Sequence, residues 1–154
     1  MNLILVLTFH CFFQTNSTKA DSTIVFSQVK YSEIFELAKK ENKPIMLYFH
    51  FNGCGACIKL EKTTFINKEV IEFVNQNFIC YSVNISYKEG KETNYIYNIR
   101  GFPTILFLDT NGKIIHEIIG LQPPDSFIQE ARKALELSNY QRTMACTSKQ
   151  VSRF

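Results

Sequence analysis

The sequence predicts a single α/β domain, built as a mixed sheet with helices on both faces. Three observations carry this reading. Apolar runs of strand length at Ile45–Phe49 and Phe78–Ile85 alternate with segments of helical periodicity. Two later strand runs, Thr104–Leu108 and Lys113–Ile119, flank Asp109-Thr110-Asn111-Gly112, and Asn-Gly is the strongest short hairpin signal. The chain's 154 residues, 45% hydrophobic with 14 Phe and 7 Tyr, match the size of one domain and supply one core.

The elements follow in chain order. A short strand is expected at Thr23–Phe26. Tyr31, Ile34, Phe35 and Ala38 fall on one helical face, with Ser32 as the expected N-cap and Asn42-Lys43-Pro44 as the stop. Ile45–Phe49 is continuously apolar, as a strand buried on both faces should be. The loop Phe51-Asn52-Gly53-Cys54-Gly55-Ala56-Cys57 opens a second helix. Asn67 caps a third, whose Val70, Ile71 and Val74 share a face. Phe78–Ile85 reads as a second buried strand, and Glu92–Asn98 as a short helix before Arg100-Gly101-Phe102-Pro103. Pro123-Pro124 breaks the chain. A closing helix then turns Phe127, Ile128, Ala131 and Leu135 inward, with Ser126 and Gln129 at capping-box spacing. Periodicity fades from Tyr140, so residues 139–154 are expected to be a flexible tail.

The first twenty residues read differently. Leu3–Phe13 is nearly all apolar and carries no Lys, Arg, Asp or Glu, and Thr18 and Ala20 follow at the small-residue spacing of a signal-peptidase site. The run is too short to span a bilayer, which takes about 20 residues. Residues 1–20 are therefore expected to be an export signal, 21–138 the domain, and the protein periplasmic or extracellular. Cys11 does not make a lipid-anchor signal, because bulky Phe9 and His10 precede it. The 17 Lys and Arg stand against 14 Asp and Glu and are scattered, which excludes the clustered basic face of a nucleic-acid binder. The five cysteines are too unevenly spread to staple a small scaffold.

Chemistry centres on Cys54-Gly55-Ala56-Cys57, set after a buried strand and at a helix start. A thiolate there faces unpaired N–H groups and the positive end of the helix dipole, which lowers its pKa and makes it the nucleophile. Cys54 gains most from this field; Cys57, a turn inside, is the shielded partner with which it can close a reversible disulfide. The alternatives are a chance pair and half of a zinc site. The latter needs two more ligands, and Cys80, His50 and His116 lack ligand spacing. Covalent haem attachment needs His after the second cysteine, where Ile58 stands.

From about Lys43 to Leu135 the chain resembles the thioredoxin family, in particular its exported thiol:disulfide interchange branch. The resemblance rests on Ile45–Phe49, Cys54–Cys57, Lys59-Leu60-Glu61, Gly101-Phe102-Pro103-Thr104 and Asp109–Gly112. It implies a thioredoxin-like fold and thiol–disulfide exchange by Cys54 and Cys57 without a cofactor. It also implies a cis Phe102–Pro103 bond beside the disulfide, with the backbone of Phe102 binding extended substrate. Protein thiols or disulfides are the implied substrates, a membrane thiol carrier the implied redox partner, and a monomer the expected state. A second reading is a thioredoxin-fold binding or chaperone module with a non-catalytic disulfide.

The chain departs from the family pattern at three places. Tyr48 occupies the place of a buried aspartate, Gly53 that of a tryptophan, and Gly-Ala replaces Gly-Pro between the cysteines. Glu61 is expected to be a solvated partner of a nearby Lys, His50 a packed strand residue, and Cys80 an inert core thiol. Cys146 falls in the tail, and Phe51 with Phe102 is expected to form an apolar rim for a protein substrate.

Overall fold

The computed structural model describes residues 22–151, the side chains of 145–151 excepted. The proposed signal at 1–20, with Cys11, lies outside the described residues, as does the side chain of Cys146. A 3₁₀ turn at Tyr31–Glu33 leads into α1 (Ile34–Glu41), β1 (Ile45–His50), α2 (Gly55–Thr63), α3 (Lys68–Asn77) and β2 (Ile79–Asn84). Then come α4 (Lys88–Tyr97), β3 (Thr104–Leu108), β4 (Ile114–Ile119) and α5 (Pro124–Val151), the order the periodicity predicts.

The four strands lie in the order β2-β1-β3-β4. β1 pairs parallel with β2 and antiparallel with β3, and β3 and β4 form the expected antiparallel hairpin. Central β1 and β3 are buried on both faces apart from His50, in keeping with their unbroken apolar runs. One face packs Met46, Tyr48, Ile105 and Phe107 under Leu60 of α2, Val70, Ile71 and Val74 of α3, and Phe127 and Ala131 of α5. The other packs Ile45, Leu47, Phe49 and Leu106 under Ile34 and Ala38 of α1.

Several local expectations are corrected. β2 is an edge strand in which only Cys80 and Val83 are buried, because among the described residues no full strand covers its outer side. The Thr23–Phe26 strand shrinks to one parallel bridge, Phe26 to Cys80, with Ser27 N–H donating to the Cys80 carbonyl at 2.8 Å. Ser32 sits inside the 3₁₀ turn, where Glu33 Oε2 accepts from the Lys30 N–H instead. Ser126 is likewise no cap. α5 starts at Pro124, whose fixed φ and missing N–H suit the first helical position, and Phe127 N–H donates to the Pro123 carbonyl.

α5 also runs on to Val151 through the stretch expected to be a loose tail, which holds no Gly or Pro to stop it. Arg142 ties this extension to the domain by donating to the Asn42 carbonyl and Oδ1 at 2.9 and 3.0 Å. Asn42 itself ends α1 in the left-handed region at φ 51°, which Asn tolerates better than most residues. Asn67 caps α3 as expected, its Oδ1 accepting from Glu69 N–H at 3.0 Å and Val70 N–H at 3.2 Å. Asn67→Ala should cost about 1 kcal/mol of unfolding free energy in urea titration; no loss would mean that water replaces the cap.

Candidate active site

The site is assembled by the end of β1. That buried strand delivers His50 to the surface, and the chain turns back at Phe51–Cys54, with Cys54 N–H donating to the Phe51 carbonyl at 3.2 Å. Gly53 makes the turn at φ +86°, where a side chain would be strained. Cys54 is then the N-cap of α2, in extended conformation, and its sulfur accepts the Cys57 N–H at 3.2 Å. This is the thiol-at-a-helix-start arrangement expected from the motif. The cysteines are joined as a disulfide with Cα atoms 5.2 Å apart. Cys54 is 5% and Cys57 1% exposed, so Cys57 is the more shielded.

Phe102 and Pro103 arrive from the far end of β3. Thr104, the first residue of β3, pairs with Phe49, which sets Pro103 level with the end of β1 and the disulfide turn. The Phe102–Pro103 peptide is cis, and the Pro103 carbonyl accepts from Gly120 N–H at 2.7 Å. Phe102 meets Phe51 edge-on, with ring centroids 5.3 Å apart at 86°, so the two aromatics expected at a rim touch.

The sequence expectation for Glu61 fails. Glu61 is not a free partner of a lysine: its Oε1 accepts from the Tyr48 hydroxyl at 2.9 Å. The i+4 spacing from Cys57 puts both on one face of α2, turned toward the sheet, and Tyr48 is the group that meets the carboxylate there. A carboxylate on α2 thus reaches the hydroxyl of Tyr48 on β1. Burial raises the tyrosine's pKa well above its ordinary value, and the bond to Glu61 adds to this, so the hydroxyl stays protonated and donates. His50 stacks flat on Tyr48, 4.8 Å between centroids, and shares a 2.9 Å hydrogen bond with Ser82 Oγ. Burial lowers its pKa, opposed by the charge of Glu61. It is the packed strand histidine the sequence suggests.

The structure leaves Cys80 apart from the pair, buried in β2 with its thiol pushed up to about 12 by burial. At pH 8 about one molecule in 10⁴ then carries its thiolate. Iodoacetamide at that pH should modify Cys54 of the reduced native chain and spare Cys80 until denaturant is added, as peptide mass mapping would show. Alkylation of Cys80 at a comparable rate would contradict its burial. Among the described residues no group of three or more His, Cys, Asp or Glu is placed to hold a metal ion.

Comparison with known proteins agrees with this geometry. The family described as a thioredoxin-like domain matches residues 31–135. Thiol:disulfide interchange protein DsbD of Haemophilus influenzae (strain PittGG) is 30% identical over 133 residues, covering 79% of this chain and 23% of that protein. Disulfide bond reductase DsbH of Chlamydia pneumoniae is 26% identical over 119 residues, covering 70% of this chain and 71% of the relative. A solved structure described as DsbH oxidoreductase superposes with a TM-score of 0.67 at 22% identity, over 81% of this chain and 93% of that one. The chain spans less than a quarter of the length of the first curated relatives it matches. The sheet order, the disulfide at the start of α2 and the family match over most of the domain lead to one assignment: the chain belongs to the thioredoxin-like family.

Proposed function

We propose that this protein is a thiol–disulfide oxidoreductase of exported proteins, with Cys54 as nucleophile, Cys57 as resolving thiol, and Phe102 and Pro103 as the substrate-binding edge. The observation that carries the reading is the Cys54 sulfur at the N-cap of α2, accepting a helix N–H. In the reduced protein the same N–H and the helix dipole favour the thiolate. That thiolate attacks one sulfur of a substrate disulfide, forming the Cys54–substrate bond as the substrate's other sulfur leaves. Cys57 sulfur, a turn inside, then displaces the bound substrate thiol from Cys54. Two electrons pass from the cysteine pair to the substrate, and the leaving thiolates take up the protons. In reverse, the same steps insert a disulfide.

The apolar leader at 1–20, read as an export signal, supports a periplasmic or extracellular setting. A membrane thiol carrier resets the pair there, and the protein works as a monomer. The test is equilibration of the mature chain in glutathione and dithiothreitol buffers. A two-electron transition between about −270 and about −120 mV, absent in Cys54→Ser, is the expected result. A chain without a reversible transition in that window is a binding or chaperone module instead.

A further inference from the structure

We infer that Asn52, Asn84 and Ser86 are positioning residues, a polar clamp that ties the disulfide turn to the β2–α4 loop and keeps the Cys54 sulfur at the start of α2 when the disulfide is open. This role rests on the oxidoreductase reading of Cys54 and Cys57. Three hydrogen bonds close the clamp. Asn84 Nδ2 donates to Asn52 Oδ1 at 2.8 Å, and the Asn52 N–H donates to Ser86 Oγ at 2.9 Å. Ser86 N–H donates in turn to Asn84 Oδ1 at 3.0 Å. Asn52 is thus gripped by side chain and backbone together, two residues before Cys54.

The base of the clamp is fixed. Asn84 ends β2 opposite His50, and Ile85 N–H donates to the His50 carbonyl at 2.9 Å. The Asn84 carbonyl accepts from Tyr87 N–H at 3.2 Å and leaves no room for a side chain at Gly90 of α4. The turn is less constrained by packing. Phe51, Asn52 and Gly53 are all exposed, and nothing lies within 4 Å of where a side chain at Gly53 would begin.

The clamp matters most in one redox state. In the oxidised chain the bond to Cys57 itself fixes the Cys54 sulfur. Once that bond opens, the turn decides whether the sulfur stays within reach of the Cys57 N–H. A thiolate that stays keeps the helix N–H and the dipole, and one that swings away loses both. Residues 51–58 and 84–87 contain no Lys, Arg, Asp or Glu, while His50 and Glu61 are engaged by Ser82 and Tyr48. Removing the clamp therefore changes position and not charge.

The reduced mature chain should be alkylated with iodoacetamide from about pH 4 to about pH 9. Fragmentation of the peptide that spans both cysteines separates the rate at Cys54 from that at Cys57. This rate follows the thiolate fraction, so its midpoint in pH reads the surroundings of the sulfur. Asn84→Ala and Ser86→Ala should each move the midpoint upward. The rate on the acid side should fall about threefold or more, and the alkaline plateau should stay within about twofold of the parent's. Ser86→Thr keeps the hydroxyl and should restore the parent profile. Asn67→Ala, which loses a cap on α3 instead, should leave the profile unchanged and so separates position from stability. An unchanged midpoint in both alanine variants, or a fall that is equal at every pH, would overturn the clamp and leave the oxidoreductase reading intact. A parent chain whose Cys54 titrates at about 8.5, like a free thiol, would sink the oxidoreductase reading itself.

Discussion

Cys54→Ser should lower the rate of disulfide exchange by at least about 10³-fold, the scale on which enzymes lose rate with their nucleophile. A serine hydroxyl at the start of α2 keeps the N-cap but supplies no thiolate at neutral pH, so the fold should survive and the chemistry should not. The complementary variant gives a sharper signature. In Cys57→Ser the first displacement proceeds and the second cannot. A mixed disulfide between Cys54 and the substrate should accumulate, visible as one added substrate mass per chain. Cys57 is 1% exposed, so it should act on the mixed disulfide from within and not compete for substrate. Wild-type exchange by Cys54→Ser would remove Cys54 from the mechanism. Turnover by Cys57→Ser without a trapped species would show that substrate leaves by some other thiol.

Gly90→Ala should destabilise the protein by about 3 kcal/mol, at the upper end of overpacking costs. At an exposed helix position the same change usually stabilises by about 1 kcal/mol, because glycine loses more backbone freedom on folding. The sign reverses here because α4 crosses the end of β2 in direct backbone contact. A Cβ on Gly90 would stand 2.0 Å from the Asn84 carbonyl oxygen and 2.5 Å from its carbon, and a backbone cannot rotate away as a side chain can. Asn84 pairs with His50, the last residue of β1, so any retreat of β2 also pulls on the strand that presents the disulfide turn. A thermal midpoint about 6–12 °C lower is the expected reading for a chain of this size. A variant as stable as the parent would mean that α4 shifts freely over the sheet.

Much of this was legible in the chain because the signals are local. The unbroken apolar run Ile45–Phe49 marks a strand covered on both faces. Asp109-Thr110-Asn111-Gly112 folds back on itself through Asp109 Oδ1, which accepts from Asn111 and Lys113 N–H groups at 2.8 and 2.9 Å. Asn67 caps α3 with atoms no more than three residues away. The strand before the cysteine pair, the helix after it and the Pro103 loop together point to a redox site.

The failures lie where local rules compete or contacts are distant. Gly90 among polar neighbours hid the first turn of α4, which begins four residues before the expected helix because packing overrides glycine's weak propensity. Phe78–Ile85 looked like a buried strand because apolar content does not reveal whether a strand has a neighbour on both sides. Glu61 resembled any solvated helix glutamate until β1 placed the Tyr48 hydroxyl against it.

The order of elements, the hairpin, and a thiol pair at a helix start are all written locally in the chain, since each depends on periodicity or on turn chemistry within a few residues. That β2 is an edge and that Glu61 meets the Tyr48 hydroxyl emerged from the assembled fold alone. Those facts depend on which strands and helices become neighbours, and that is set by burying the whole apolar surface at once rather than by any single segment.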